Sequence, residues 1–273
     1  MKPSLSQVTT LNAAFELDIE DYAAAACDTV ELWLGKLETY LASHTVEDVQ
    51  RLLQENEVTA PVASFQGGLL TSQGEARRLH WEHFGRRLTL CRQLGIGTLV
   101  VAGDILGPLA QQDLDRAQLS LRQAGEQAGR EGVRLAVEFQ SHATFANNLQ
   151  TAAALVAEVA SPHVGLCFDV FHYYMGPSKE EDLGYLSREN LFHVQLSDTA
   201  GVAREFAADA DRILPGDGDL NLQPVIQRLR QIGYTGCVSV ELMNPQIWQI
   251  PPRQVAEVAM TALRKLLGQA SMG

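Results

Sequence analysis

Four side chains that offer oxygen ligands lie at or near the carboxyl ends of short apolar runs: Glu138, Asp169, Gln195 and Glu241. The intervals between them are 31, 26 and 46 residues, each sufficient for one helix and its loops. Glu138 and Glu241 lie in the apolar segments LAVEF and VSVEL, where an unpaired carboxylate would be costly to bury. Because a shared cation would remove that cost, the pattern predicts a metal site formed by all four residues.

The ligand types indicate which metal such a site would hold. Hard oxygen ligands favour Mg²⁺ or Mn²⁺ over a structural zinc, and Co²⁺ or Ni²⁺ stays open. The alternative is a set of solvated polar residues at strand ends. Asp plus Glu make up 33 of 273 residues, so any given strand end is acidic by chance about one time in eight. The burial cost of the two embedded glutamates favours the metal site.

Two histidines accompany these strand ends. His172 follows Asp169 by three residues in FDVFHYY, beyond the strand, where it could orient a carboxylate or contact a substrate. His193 precedes Gln195 by two residues and therefore shares its strand face. For His193 a structural hydrogen bond and a substrate contact are both open. Both histidines are therefore candidate substrate-binding residues.

Glu31 and Arg212 complete the predicted substrate contacts. Glu31 closes the apolar segment VELW and could bind a substrate hydroxyl or support the site. Arg212, in RILPGDGDL, could hold an anion or a hydroxyl, and a solvated loop charge is the alternative. Lys36 and Lys179 are the other cations expected near the site, and no clear phosphate-binding motif accompanies them.

Short β-rich runs alternate with amphipathic segments along the chain. The predicted strands are LSQV (5–8), TVELWL (29–34), VASF (62–65), TLVVA (98–102), VRLAVEF (133–139), VGLCF (164–168), LFHVQL (191–196) and CVSVEL (237–242). The predicted helices lie at residues 45–56, 75–94, 111–132, 148–160, 222–233 and 252–267, the first opening with a capping-box pattern of Thr45 and Asp48. Eight strands alternating with helices predict an α/β fold, a (β/α)8 TIM barrel forming one domain over residues 1–273. In such a barrel, residues at the carboxyl ends of the strands line the active site.

Composition narrows the class of partner. Lys plus Arg number 21 and Asp plus Glu 33, a net charge of −12, which argues against nucleic acid or an anionic membrane. We expect a small-molecule substrate instead, and a homo-oligomer stays open. The four scattered cysteines are expected to be packing residues. The sequence shows no signal-like or membrane-spanning run, which favours the cytoplasm.

Five segments resemble the xylose-isomerase-like TIM barrels, often called sugar phosphate isomerases/epimerases. They are LAVEF, VGLCFDVFHYY, FHVQLSD, RILPGDGDLNL and GYTGCVSVELMNP, and they occur in the family's order within residues 133–246. The resemblance implies a divalent metal at the four residues named above, with Glu138 and Glu241 facing each other across the substrate. It also implies that His172 and Arg212 contact substrate oxygens.

One residue departs from the pattern of many epimerases in this family, which have His as the strand-seven ligand. Gln195 stands in that place and is similar to the residue of hydroxypyruvate isomerase and 3-dehydroshikimate dehydratases. The departure puts a ketohexose epimerase in doubt, though not the metal. The His-rich, multi-metal endonuclease of the same superfamily is disfavoured by the seven histidines and the acidic charge.

These observations predict a metal-dependent isomerase or epimerase of a small sugar or hydroxy-carbonyl compound. Glu138 and Glu241 would act as the catalytic pair, one removing a proton beside the carbonyl and the other returning it through an enediolate. The alternative is a dehydratase of the 3-dehydroshikimate type, which begins with the same proton abstraction. A non-catalytic sugar-binding barrel is the third hypothesis, and the opposed carboxylates disfavour it.

Overall fold

The computed structural model describes residues 1–269. Its strands are β1 Lys2–Ser6, β2 Thr29–Trp33, β3 Thr59–Gln66, β4 Thr98–Gly103, β5 Arg134–Phe139, β6 Val164–Asp169, β7 Leu191–Leu196 and β8 Cys237–Val240. Their order is that of a closed barrel, β1 to β8, and the fold prediction of a (β/α)8 barrel is confirmed. Each predicted run overlaps one strand.

The helices are α1 Phe15–Ala24, α2 Leu34–Tyr40, α3 Val46–Glu55, α4 Gly74–Leu94, α5 Gln111–Arg130, α6 Leu149–Val159, α7 Val170–Met175, α8 Gln223–Gln231 and α9 Pro252–Leu267. The six predicted helices are all present. The predicted capping box is confirmed, because Thr45 accepts the backbone N–H of Asp48 and Asp48 accepts that of Thr45. Helices α1, α2 and α7 were not predicted. None of the helices within residues 1–269 is long and apolar enough to cross a bilayer.

Strand β1 was predicted at residues 5–8, which was wrong by three residues. The strand is Lys2–Ser6, and residues 7–10 form a short 3-10 turn. The error has a physical cause, since Ser4 and Ser6 are almost fully buried in the strand and so weaken its apolar signal. The prediction for the cysteines is confirmed, because all four side chains are buried. Burial raises the pKa of Cys27 and Cys91 to about 12, as expected of inert packing thiols.

The chain divides into two compact units. Unit 1 comprises residues 1–63 together with the chain from Val194 onward, and unit 2 comprises residues 64–193. Both boundaries fall inside strands, β3 and β7, whereas domain boundaries ordinarily fall in exposed linkers. The single domain therefore stays a prediction.

Unit 1 is organised around β1, which pairs in parallel with β2 on one side and β8 on the other. Helix α9 is amphipathic and buries an apolar stripe that includes Val255, Ala259 and Leu263. In unit 2, β5 lies between β4 and β6, and all three strands are nearly devoid of exposed residues. Such burial on both faces is typical of parallel strands covered by helices.

Candidate metal and proton-transfer site

In unit 2, three polar side chains gather where β5 and β6 end. Glu138 is the penultimate residue of β5, Asp169 is the last residue of β6, and His172 lies one turn into α7. One ligand atom from each lies within 4.8 Å of the other two. All three residues are buried, with at most 8% of their surface exposed. Two buried carboxylates at this spacing fit a divalent cation.

The sequence around Asp169 fixes the direction of its carboxylate. Asp169 ends the strand and caps α7, because its Oδ1 accepts the backbone N–H of Phe171 at 2.8 Å. Its other oxygen, Oδ2, lies 3.8 Å from Nε2 of His172. The strand-to-helix transition thus sets the histidine beside the carboxylate, as the three-residue spacing predicts.

Hydrogen bonds on the far side of the ring indicate the tautomer of His172. The backbone N–H of Ser141 donates to Nδ1 at 3.4 Å, and the hydroxyl of Ser141 lies 3.2 Å from the same atom. Because a backbone N–H can only donate, Nδ1 accepts and the neutral ring carries its proton on Nε2. A metal ligand needs a lone pair on that nitrogen, so this tautomer favours His172 as a hydrogen-bond donor.

In unit 1, the side chain of Gln195 joins two buried glutamates. Its amide nitrogen donates to Oε1 of Glu31 at 2.9 Å and to Oε1 of Glu241 at 2.8 Å. Strand pairing positions the two glutamates. Glu31 of β2 aligns with Ser6 of β1, and the backbone N–H of Glu241, just after β8, donates to the backbone oxygen of Leu196 in β7. Since the two N–H groups face the carboxylates, the amide oxygen is directed away from them.

Arg212 lies on the other side of Glu241. Its Nη1 donates to Oε2 of Glu241 at 3.3 Å, and its Nε and Nη2 donate to Oδ1 of Asp209 at 2.9 and 2.7 Å. Only 1% of Arg212 is exposed, so the alternative of a solvated loop charge is wrong. The guanidinium of Arg212 is thus held between two carboxylates. The backbone oxygen of Arg212 accepts a hydrogen bond of 3.0 Å from the side-chain amide of Asn244.

Asp198 organises the loop that carries Arg212. The residue is fully buried, and its carboxylate accepts the backbone N–H groups of Thr199, Gly216 and Leu220 at 2.9–3.0 Å. Its own backbone pairs with that of Ile213, next to Arg212. The PGDGD motif is therefore a loop held by one aspartate, consistent with the tight turn expected from its glycines.

Several buried hydroxyls line the same face of the unit 1 strands. Within the described residues, the Oγ atoms of Ser4, Ser6, Ser197 and Ser239 have no hydrogen-bond partner in the protein. Gln195 aligns with Ser239, which in turn aligns with Ser4. The interior of the unit 1 strands is therefore polar at these positions.

The remaining predicted residues have different surroundings. His193 is fully buried in β7, two residues before Gln195. Lys36 is also buried, and its ammonium is paired with Asp18. Lys179 is exposed. Sequence reasoning missed Asp209, Ser141 and Asp198. The three-residue spacing of Asp209 and Arg212 was the one available signal for these partners.

Comparison with known proteins identifies the family. The model of the xylose isomerase-like TIM barrel matches residues 19–266. This chain belongs to that family. The resemblance of the sequence motifs is thereby confirmed, and the match extends over the first half of the chain as well.

Two relatives with similar sequences are named as enzymes. The chain is 28% identical over 266 residues to an inosose isomerase from Halalkalibacterium halodurans, with 95% of this chain and 94% of the relative covered. It is 23% identical to a 3-dehydroshikimate dehydratase from Pseudomonas putida, covering 100% of this chain but 42% of that protein. These relatives confirm the prediction of an enzyme of the sugar isomerase/epimerase type, with a dehydratase as the alternative.

Solved structures show the same fold. The crystal structure of the IolI protein with a bound zinc atom has a TM-score of 0.93 at 24% identity and covers 100% of both chains. A D-psicose 3-epimerase crystallised with D-fructose has a TM-score of 0.78 at 20% identity, covering 98% of this chain and 100% of that one. At these identities the likeness establishes the barrel fold.

Proposed function

We propose that this protein is a divalent-metal-dependent isomerase or epimerase of a small sugar or hydroxy-carbonyl compound. The observation that carries the proposal is the buried pair of carboxylates of Glu138 and Asp169, each of which has an oxygen within 4.8 Å of the other and of a ring nitrogen of His172. Two comparisons support the same conclusion. The IolI structure, which matches the full length of this chain, contains a zinc atom, and several relatives are named inosose isomerase.

The proposed metal ligands are Glu138, Asp169, Gln195 and Glu241. In a TIM barrel the carboxyl ends of all the strands lie at the same end of the barrel, where the active site forms. This rule supports a shared site for residues from β5, β6, β7 and the end of β8. Three carboxylates and one amide oxygen favour Mg²⁺ or Mn²⁺. A bound divalent metal would supply Lewis acidity, stabilising the negative charge that develops on substrate oxygens as a proton leaves carbon.

Glu138 and Glu241 are proposed to move the proton. Each is buried and held by polar neighbours: Gln140 donates to Glu138 at 3.4 Å, and both Gln195 and Arg212 donate to Glu241. Donors directed at a carboxylate stabilise its ionised form, which can accept a proton. One glutamate would remove the proton beside the carbonyl and the other would return it to the neighbouring carbon or the opposite face.

The proposed substrate contacts are His172, Arg212, His193 and Glu31. The Nε2 proton of His172 can donate to a substrate oxygen, since Ser141 occupies the other ring nitrogen. Arg212, which also contacts Glu241 at 3.3 Å, would donate from its guanidinium to a substrate oxygen. Glu31, bonded to Gln195, keeps the amide oriented.

A dehydratase is the second candidate, favoured by two relatives named 3-dehydroshikimate dehydratase that match 100% and 98% of this chain. The two functions share the first proton abstraction and differ in whether a hydroxyl then leaves. The test is to incubate Mg²⁺- or Mn²⁺-loaded protein with inososes, ketoses and 3-dehydroshikimate in deuterium oxide. Deuterium incorporation with isomerised product supports the proposal. Aromatic product from 3-dehydroshikimate alone would establish the dehydratase, and metal-independent turnover would contradict both.

A further inference from the structure

In unit 2, the ring of His142 lies beside that of His172, with centroids 6.1 Å apart and an interplanar angle of 65°. His142 lies in the turn that follows β5 and is exposed, whereas His172 is buried. Within residues 1–269 the ring of His142 forms no hydrogen bond to the protein. An exposed imidazole therefore contacts the buried cluster of Glu138, Asp169 and His172, and both of its nitrogens are available to a ligand.

Backbone hydrogen bonds hold the turn that carries His142. The N–H of Ala143 donates to the backbone oxygen of Gln140 at 2.9 Å, which closes the turn around the histidine. On the other side, the backbone N–H of Ser141 donates to Nδ1 of His172 at 3.4 Å. The two bonds fix the backbone on either side of His142, so its ring is kept next to that of His172.

His172 itself is confined to one protonation state. Its Nδ1 accepts the backbone N–H of Ser141, so a second proton on that nitrogen would face another donor. Loss of the proton on Nε2 would leave an anionic ring, whereas imidazole near neutral pH is either neutral or cationic. The geometry therefore makes His172 a hydrogen-bond donor and leaves the carrying of protons to a different group.

Moving a carbonyl group to the neighbouring carbon requires the transfer of two protons. One proton passes from carbon to carbon, and the proposed function assigns this transfer to Glu138 and Glu241. The other proton leaves the hydroxyl oxygen and ends on the former carbonyl oxygen, while the C–O double bond shifts from one carbon to the next. The second transfer needs a group that both accepts and donates a proton near neutral pH, as imidazole does.

We propose that His142 is a further catalytic residue, which takes the proton from one substrate oxygen and returns it to the neighbouring one. The inference rests on the proposed function and selects isomerisation within it. A substrate oxygen bound to Nε2 of His172 would have its neighbouring oxygen within reach of His142. Two hydrogen bonds of roughly 2.6–3.2 Å span the 6.1 Å between the ring centroids.

The test compares deuterium exchange with product formation in His142→Gln. Metal-loaded protein is incubated in deuterium oxide with inososes and ketoses, among them 2-keto-myo-inositol and D-fructose. Glutamine can form hydrogen bonds but cannot carry a proton, whereas the glutamates still remove the proton from carbon. Deuterium uptake into recovered substrate should therefore persist while isomerised product forms more slowly. We expect the ratio of exchange to product formation to rise at least about tenfold.

His163→Gln is the matched control, because His163 lies just before the amino end of β6, the opposite end of that strand from Asp169. It should leave the ratio unchanged. Unaltered product formation in His142→Gln, or an equal fall of exchange and product formation, would overturn the inference. A product inverted at one carbon, with the carbonyl in its original place, would overturn it too and leave the proposed function standing. No exchange and no product with any probe in the unaltered protein would contradict the proposed function itself, and the inference with it.

Discussion

The amide nitrogen of Gln195 donates a hydrogen bond of 2.8 Å to Oε1 of Glu241. The same nitrogen donates to Glu31 at 2.9 Å, so a single neutral side chain stabilises two buried carboxylates. Removing a donor from a buried charged acceptor costs roughly 1.5–3 kcal/mol per hydrogen bond. Glutamine at this position therefore stabilises two carboxylates, in addition to the proposed ligation of a metal through its oxygen.

The first prediction concerns a change of Gln195→Glu. The new carboxylate would lie beside Glu31 and Glu241, and the repulsion should destabilise the metal-free protein. Added Mn²⁺ should compensate, because a carboxylate ligates at least as well as an amide. We expect the rise in Tm on adding Mn²⁺ to be larger in this variant than in the unaltered protein. Gln227→Glu, exposed on α8, is the control, and equal Mn²⁺-induced shifts in all three proteins would contradict the prediction.

The second prediction concerns Asp198. Asp198→Ala leaves three backbone N–H groups without their acceptor, and each such group costs about 1–3 kcal/mol if it stays buried. The free energy of unfolding in urea should fall by about 2–4 kcal/mol. Because the loop positions Arg212, kcat should fall as well. Asp198→Asn keeps one acceptor oxygen and should recover part of both losses.

Asp217→Ala is the matched control for this loop, since Asp217 is exposed in the same PGDGD motif. It should change the unfolding free energy by less than about 0.5 kcal/mol. An Asp198→Ala protein with normal stability would show that the loop does not depend on this carboxylate.

Much of the fold could be predicted because the apolar runs of parallel strands are nearly continuous. Glu138 and Glu241 could be predicted as site residues for the same reason, because a carboxylate within the apolar runs LAVEF and VSVEL is costly to bury without a partner. Partners separated by long stretches of sequence were not predictable. The Lys36–Asp18 pair and the bonds of Asp198 to the PGDGD loop depend on side-chain positions that no local pattern encodes. The buried Ser4 and Ser6 displaced the predicted bounds of β1, because serines on a buried strand face weaken the apolar pattern.

The third prediction follows from the pKa of Asp18. Burial is the largest cause and raises it from 3.8 to about 7, against the opposing effect of Lys36. The native protein then holds a proton between about pH 4 and 7 that the unfolded chain has lost. The stability that this proton contributes is complete below about pH 4 and is lost as the pH rises to about 7. The groups acting on the pKa of Asp18 are Lys36, Thr10 and Asp21.

Urea denaturation of metal-free protein at pH 4.5 and 7 measures this effect. Asp18→Asn lacks the titrating group, so its unfolding free energy should fall less across that interval than that of the unaltered protein. Glu20→Gln, exposed on α1, is the control for removing one acidic group. Parallel pH dependence in Asp18→Asn and the unaltered protein would contradict the raised pKa.

The fourth prediction separates metal binding from proton transfer. Asp169→Asn should weaken metal affinity first, since a neutral amide replaces a carboxylate, and excess Mn²⁺ should restore part of the activity. His172→Ala should raise KM if the Nε2 proton binds substrate, and lower kcat if it orients the reaction. Metal content and kinetic constants of both variants, measured across a range of Mn²⁺ concentrations, distinguish these effects. Full activity of Asp169→Asn without added metal would remove this residue from the site.

The last prediction concerns the two glutamates proposed to move the proton. Glu241→Gln should retain the fold and some metal, because an amide oxygen can ligate, but an amide cannot take up a proton. General acid–base catalysis contributes about 10²–10⁴-fold, so turnover should fall by at least that factor. Exchange of the substrate's α-hydrogen with solvent deuterium should persist in the unaltered protein, whereas Glu138→Gln and Glu241→Gln should each block it from one direction. Exchange at unaltered rates in both variants would mean that the glutamates only hold metal and that His172 or water moves the proton.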